Sequence, residues 1–65
     1  MKLIEFELEM GMKVYINPEY VMAVGEYSEN PEYTVIDMNG FKDDETYIVK
    51  GKVEEVRKKL MIDCV

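Results

Sequence analysis

The chain contains no histidine, no tryptophan and a single cysteine, Cys64. One cysteine cannot form an internal disulfide, and without histidine a structural zinc site has too few ligands. The absence of histidine also removes the side chain that most often carries acid–base catalysis near neutral pH. Cys64 has no histidine to activate it as a nucleophile, so a free thiol is its default state. We therefore predict a protein that is not an enzyme and has no cofactor.

Long apolar runs are also absent. No stretch approaches the roughly 20 apolar residues needed to span a membrane, and Glu5 and Glu7 interrupt any signal-peptide core near the first residue. We expect a cytoplasmic protein without membrane contact. At 65 residues the chain is a single domain, residues 1–65. So small a domain has a thin core, and with 48% hydrophobic residues we predict that a homo-oligomer stabilises it.

Basic residues are few compared with acidic ones. The chain has 14 Asp and Glu residues against 8 Lys and Arg residues, a net charge of −6. Residues 1–50 hold 11 acidic and 4 basic residues, so the excess lies before the C-terminal segment. Because nucleic-acid phosphates require a basic surface, we expect no direct nucleic-acid binding. A protein partner with a basic or apolar face is compatible with this charge.

The clearest structural signal is a strict alternation of apolar and acidic residues from residue 4 to residue 9. This period of two predicts a strand with one buried face and one acidic face. The apolar positions are Ile4, Phe6 and Leu8, and the acidic positions are Glu5, Glu7 and Glu9. Gly11 suits the turn that follows. In the returning strand Met12, Val14 and Ile16 are predicted to share the inward face, with Lys13 opposite the glutamates.

The pair Asn17-Pro18 is predicted to end the second strand, because proline has no N–H to donate and restricts the residue before it. Three further strands are predicted at residues 20–27, 33–38 and 46–49, with a hairpin signal at Asn39-Gly40. Gly25, inside the first of these strands, suggests a β-bulge or a close backbone approach.

After residue 50 the apolar spacing becomes helical and predicts a short amphipathic helix. Its apolar stripe consists of Val53, Val56 and Leu60, with Met61 beside it. Candidate ion pairs four residues apart are Glu54–Lys58 and Glu55–Lys59. No favourable N-cap residue precedes the helix, because Gly51 and Lys52 stand at its start.

These elements define an α+β fold, with a small antiparallel sheet of about five strands and one C-terminal helix. The strands at residues 20–24 and 33–38 are apolar on both faces, whereas one short helix covers only one face of a sheet. Either the sheet curls into a small barrel, or its second face meets another chain.

The order of these segments resembles the FlbD/SwrD family of small bacterial proteins linked to flagella and swarming motility. The resemblance covers nearly the whole chain. It rests on the segments Val14-Tyr15-Ile16-Asn17-Pro18, Asn39-Gly40, Tyr47-Ile48-Val49-Lys50 and Val53-Glu54-Glu55-Val56. It implies a non-enzymatic accessory protein.

Two groups of carboxylates are candidate sites for chemistry. Asp43, Asp44 and Glu45, with Asp37 and Asn39 upstream, present oxygen atoms that hard cations prefer. Their spacing does not fit an EF-hand loop, and a solvated hairpin tip explains them equally, so we predict no metal site. The glutamates of the first strand are paired carboxylates, but without a second catalytic group they are better explained as a solvated face.

Two functional hypotheses follow. The first is an oligomeric accessory module that acts through protein contacts made by the outer face of the sheet and by the helix, with tyrosines as candidate contact residues. The candidate tyrosines are Tyr15, Tyr27 and Tyr33. The second is an acidic inhibitor from a phage or mobile element that mimics nucleic acid and blocks a basic groove on a host protein. Its contact residues are Glu5, Glu7, Glu9, Asp43, Asp44 and Glu45. Carboxylates spaced along one face favour the mimic, and an apolar patch favours the module. Asn17, Pro18, Asn39 and Gly40 are interpreted as structural turn residues.

Overall fold

The computed structural model describes residues 3–39 and 45–61 of the chain. Within these ranges it contains five antiparallel strands and one α-helix, which confirms the α+β prediction. The elements are β1 (Ile4–Glu7), β2 (Lys13–Ile16), β3 (Val21–Glu26), β4 (Tyr33–Met38), β5 (Glu45–Lys50) and α1 (Val53–Met61). No helix in the described ranges has the length and apolar character that crossing a membrane requires.

The β1–β2 hairpin pairs Glu5 with Tyr15 and Phe6 with Val14. Its turn is closed by the Leu8 N–H, which donates to the Met12 carbonyl at 2.7 Å, and Gly11 takes a φ of +96° that favours glycine. The alternation holds in β1, where Phe6 is buried and its neighbours are exposed. Met12 was expected on the inward face, but it lies before β2 with 59% of its surface exposed, because the turn extends to it.

Asn17-Pro18 ends β2 as predicted. Pro18 begins a single turn of 3-10 helix, Pro18–Tyr20, and the Asn17 side chain accepts a hydrogen bond from the Glu19 N–H at 3.0 Å. This is the usual capping arrangement, with proline in the first turn, where its missing N–H costs nothing. Tyr20 was predicted at the start of the third strand and instead closes this turn, so β3 begins at Val21.

Strands β3, β4 and β5 form a three-stranded sheet with β4 in the centre. The register shifts between Val21 and Ala23, so Met22 occupies a β-bulge. The bulge predicted at Gly25 is therefore wrong in position, and no close approach exists there, since a Cβ built on Gly25 meets no atom within 4 Å. Asn39, the first residue of the predicted hairpin signal, donates its N–H to the Tyr20 carbonyl at 2.7 Å. Gly40 lies outside the described residues.

The two sheets are joined but do not close into a barrel. An isolated bridge pairs Leu8 with Val49, and the Glu9 N–H donates to the Ile48 carbonyl at 3.1 Å, so the end of β1 runs beside β5. The curved surface that results surrounds one core. The buried core residues are Phe6, Ile16, Ile36, Val49, Val56 and Leu60.

Helix α1 packs Val56 and Leu60 into this core, whereas Met61 remains 51% exposed. The helix start is better capped than the sequence suggested, because the Lys52 N–H donates to the Glu55 carboxylate at 3.2 Å, which is half of a capping box.

The charged side chains of α1 bind partners other than those of the predicted ion pairs, whose members are four residues apart. Glu54 accepts a hydrogen bond from Arg57 at 2.9 Å, three residues away. Lys59 reaches across to β1, where its Nζ donates to the Glu5 carbonyl at 2.8 Å and lies 4.7 Å from the centre of the Phe6 ring. Lys59 therefore ties the helix to the first hairpin.

Candidate protein-interaction surfaces

The predicted acidic row lies on the exposed face of β1, and basic side chains neutralise much of it. Glu5 faces Lys13 at 3.5 Å and accepts a hydrogen bond from the Tyr15 hydroxyl at 3.3 Å. Glu7 accepts a hydrogen bond from Lys50 at 2.9 Å, and this contact raises the pKa of Lys50 above its usual value. The cross-strand partner Lys13 was predicted, whereas Lys50 on β5 was not. This face is a mixed-charge surface and not a row of unpaired carboxylates.

Glu9 lies beyond β1, at the edge of β5, and its side chain is exposed. It contributes to the environment of Tyr27, whose hydroxyl donates to the Glu29 carboxylate at 2.6 Å. The hydrogen bond to Glu29, followed by burial and then by the charges of Glu29 and Glu9, raises the pKa of Tyr27 to about 12.

The three candidate tyrosines do not form one site. Tyr27 and Tyr33 are brought together, since the Tyr27 N–H, just after β3, donates at 3.1 Å to the carbonyl of Tyr33 at the start of β4. Tyr15 lies on β2, with β1 and β5 between it and β4. A further tyrosine, Tyr47, donates to Glu45 at 2.6 Å, and this bond raises its pKa.

Of the acidic loop, only Glu45 is within the described residues, and Asp43 and Asp44 lie outside them. Asp37, which was grouped with this loop, accepts a hydrogen bond from the Thr46 hydroxyl at 3.0 Å. Among the described residues no group of three acidic, histidine or cysteine side chains is placed to hold a metal ion.

The outer face of the three-stranded sheet carries an apolar patch. The inner face is marked by three fully buried residues, Thr34, Ile36 and Val49. Because side chains alternate between the two faces of a strand, the neighbouring residues in the sequence point outward. We call the outward group the outer patch, and it consists of Ala23, Gly25, Val35 and Ile48. Gly25 pairs with Val35, and Val35 pairs with Ile48, so these residues are direct neighbours across three strands. Ala23 is exposed, and Val35 and Ile48 are half-buried.

A second apolar surface lies between β3 and α1. It is a groove with a cavity of about 280 Å³, lined by Met22 and Val24 from the strand and by Leu60 and Met61 from the helix. Met22 and Met61 are both more than half exposed. Sequence reasoning missed this groove. The signal that could have suggested it is the uncharged run Val21–Gly25 in a strand that proves to be at the sheet edge.

Comparison of the chain with protein-family models, with curated proteins and with solved structures gave no match. The function must therefore be argued from these surfaces.

Proposed function

We propose that this protein is a non-enzymatic interaction module that self-associates and acts through apolar protein–protein contacts. The observation that carries the proposal is a contrast between its charged and apolar surfaces. The carboxylates of Glu5 and Glu7 are engaged by basic side chains of the same chain, whereas the outer patch and the groove between β3 and α1 are accessible. Large apolar side chains are enriched in the buried centres of protein interfaces.

Self-association is best supported at the outer patch. Both charge signs lie at its rim, with Lys50, which is paired with Glu7, beside Tyr33 at one end and Asp37 beside Ala23 at the other. A two-fold contact places each surface against its own copy, so a rim with both signs can be self-complementary. The paired Tyr27 and Tyr33 at the same rim supply aromatic area, which is frequent among interface residues that contribute most to binding.

The alternative, a nucleic-acid mimic, receives less support from the geometry. A mimic must present carboxylates to a basic groove, but Glu5 and Glu7 already bind Lys13 and Lys50. Both pairs would have to open, or carry their lysines into a positively charged partner. Exposed ion pairs are worth little, so this argument concerns the pattern of charge more than the energy of any one pair.

The resemblance to the FlbD/SwrD family supports a more specific role, that of a motility accessory protein. The turn Asn17-Pro18 and the segment Val53-Glu54-Glu55-Val56, which carry part of that resemblance, are structural here: they end β2 and begin α1. The motility role is therefore proposed from the resemblance, and the contact surfaces are proposed from the geometry. Cytoplasmic location is part of the same proposal.

Light scattering at high micromolar protein concentration tests the proposal. We expect the parent chain to be an oligomer, and we expect Val35→Lys to dissociate it by placing a charge in the outer patch. Met12→Lys makes the same charge change just before β2, with β1 between β2 and the outer patch, at a residue that is 59% exposed, and should leave the oligomer intact. Ile48→Thr, which preserves a β-branched side chain, is the milder variant if Val35→Lys does not fold.

Two results of this experiment would contradict the proposal. A monomeric parent chain contradicts self-association. An oligomer that survives Val35→Lys and Ile48→Thr, with circular dichroism showing both to be folded, contradicts the outer patch as its interface.

A further inference from the structure

Among the described residues, no strand pairs with the outer edge of strand β3, so its backbone groups there are available for pairing. It is an outer strand, with β4 on one side only. The hydrogen bond from the Tyr27 N–H to the Tyr33 carbonyl identifies that opposing pair as a hydrogen-bonded one. Because such pairs alternate in antiparallel sheets, Gly25 bonds to Val35, and the N–H and C=O groups of Val24 and Glu26 point away from β4.

This edge lacks most of the usual protection against strand addition. Natural edge strands carry charged residues, prolines or bulges, or are covered by other elements. In β3 the first five residues, Val21–Gly25, carry no charge, and the single bulge lies at Met22, before the free groups of Val24 and Glu26. The other outer strand, β2, is shorter and begins with Lys13.

Helix α1 contacts both β3 and β4, and it runs antiparallel to β3, because one cavity joins its last turn to the start of β3 and a second joins its first turn to the end of β3. The apolar cavity, of about 280 Å³, lies between the start of β3 and the last turn of α1. The second, of about 370 Å³, lies between Glu26 at the end of β3 and the first turn of α1. An edge strand beside a helix, with pockets between them, is the arrangement in which known domains bind extended peptides by strand addition.

The two cavities differ in chemistry. The first is walled mainly by Met22, Val24, Leu60 and Met61, with Arg57 as its charged lining residue, and methionine side chains adapt well to different apolar partners. The second is lined by three glutamates, Glu26, Glu32 and Glu54, against one lysine, Lys52.

The charges within the second cavity do not balance. Lys52 lies 3.8 Å from Glu32, and Glu54 is held by Arg57. Among the described side chains, none forms an ion pair or hydrogen bond with the Glu26 carboxylate. An incoming basic side chain would therefore find an unpaired carboxylate at this end of the groove.

We propose that the groove between β3 and α1 binds an extended segment of a partner protein, which adds to the sheet antiparallel to β3. The segment carries a basic residue followed four positions later by a large apolar residue. This inference deepens the interaction-module function and rests on it. The residue opposite Glu26 is the basic one, and the residues opposite Glu26 and Val24 each exchange a pair of backbone hydrogen bonds with β3. The residue two positions further on enters the methionine-lined cavity.

A second copy of the chain is a poorer occupant. Its own β3 has no basic residue to offer to Glu26. Its β2 edge supplies Lys13, but the residue four positions later is Asn17, which is polar. Of the strands in the described part of the chain, neither outer strand therefore has the basic and apolar residues at the spacing that the groove requires.

The test uses seven-residue peptides with blocked termini and a fluorescent label. The parent peptide consists of threonine and valine, with lysine at the second position and leucine at the sixth. Binding is measured by fluorescence anisotropy, and amide shifts in nuclear magnetic resonance spectra locate the site. Two control peptides have the same length. In the first, the lysine and the leucine exchange positions. In the second, the fourth residue is N-methylated, which removes the backbone N–H that would donate to Val24. We expect each control to bind at least about tenfold more weakly, with the shifts of the parent peptide confined to β3 and α1.

Matched protein variants separate a specific contact from general attraction of a basic peptide to an acidic protein. Glu26→Lys should weaken binding at least about tenfold. Glu9→Lys makes the same charge change beside β5, away from the groove, and should have a much smaller effect.

The proposal is overturned if the parent peptide does not bind at millimolar concentration, if the controls bind equally well, or if both protein variants weaken binding to the same extent. It is also overturned if raising the protein concentration alone shifts the amides of Leu60 and Met61, which line the groove but not the outer patch, because a second copy then fills the groove. Light scattering on the same samples reports self-association independently, so failure of the groove is distinguishable from failure of the interaction module.

Discussion

The hydroxyl of Thr34 donates a hydrogen bond of 2.7 Å to the carbonyl of Gly51. Thr34 is completely buried in the central strand, and Gly51 lies in the short connection between β5 and α1. The Gly51 N–H in turn donates to the Glu32 carbonyl at 2.9 Å. These two bonds fasten the junction before the helix to the beginning of β4, and so fix where α1 starts along the sheet.

Replacing Thr34 with valine should destabilise the protein by about 1–3 kcal/mol, because the change keeps the shape but leaves a partly buried carbonyl without its donor. Urea unfolding at one fixed protein concentration measures this cost. Thr46→Val is the matched control, since the Thr46 hydroxyl bonds Asp37 on the surface, and its cost should be within about 0.5 kcal/mol. Equal effects of the two variants would show that the Thr34 bond does not stabilise the junction.

Gly51 should also tolerate substitution less well than Gly25. Its φ of +117° is unfavourable for any residue with a side chain, and an added Cβ would lie 3.4 Å from Val56. Gly51→Ala should cost about 1–3 kcal/mol in the free energy of unfolding. Gly25→Ala introduces the same methyl group into open space at an ordinary φ, and should be neutral or stabilising by up to about 1 kcal/mol. The reverse order of the two variants in urea unfolding would contradict the assigned backbone conformations.

The turn at Asn17-Pro18 should be structural. Pro18→Ala is expected to reduce stability by about 1 kcal/mol or less, since proline is preferred but not required at the start of a helical turn. Asn17→Ala removes the acceptor of the Glu19 N–H and should cost about 1 kcal/mol, whereas Asn17→Asp keeps that acceptor. Self-association, followed by light scattering, should be unchanged in all three. Loss of association with an intact fold would make the turn a contact site.

The Tyr27–Glu29 pair predicts behaviour at alkaline pH. The pKa of Tyr27 is raised from 10.0 to about 12, mainly by its hydrogen bond to Glu29. The stabilisation that accompanies a raised pKa is complete below pH 10 and is lost as the pH rises towards 12. In an ultraviolet titration, Tyr27→Phe should remove the component that ionises near pH 12, and Glu29→Gln should move it towards pH 10.

Tyr20→Phe provides the control for this titration, because it also removes one of the five tyrosines. It should leave the component near pH 12 in place. If the Tyr27→Phe and Tyr20→Phe titrations coincide while circular dichroism shows a folded protein, the Tyr27–Glu29 hydrogen bond is not present in solution.

Local sequence patterns predicted most of the fold. The alternation around Phe6 placed β1, the Asn17-Pro18 pair marked the end of β2, and the change of period after Lys50 located α1. Each of these signals depends on neighbouring residues only. The inward position of Met12 and the bulge at Gly25 were wrong, because the length of a turn and the position of a bulge depend on how two strands align.

The contact surfaces were harder to predict, since they depend on residues that are distant in sequence. Glu7 and Lys50 are 43 positions apart, and their contact shows only after β1 is placed beside β5. To predict the groove, one must know that β3 is at a sheet edge and that α1 runs beside it, and neither fact can be obtained from the sequence. The two apolar faces of β3 and β4 did predict a surface that the helix would leave uncovered, and the outer patch corresponds to it.

We propose that apolar surface, and not acidic charge, makes the contacts of this protein. Sedimentation equilibrium of the parent chain at increasing ionic strength, from about 0.05 to 0.5 M sodium chloride, tests this claim most directly, because screening strongly weakens exposed charge contacts across that range. We predict a self-association constant that stays constant or rises, since salt also screens the repulsion between copies of charge −6. An association that weakens steeply with salt, or a chain that is monomeric throughout, would contradict the account.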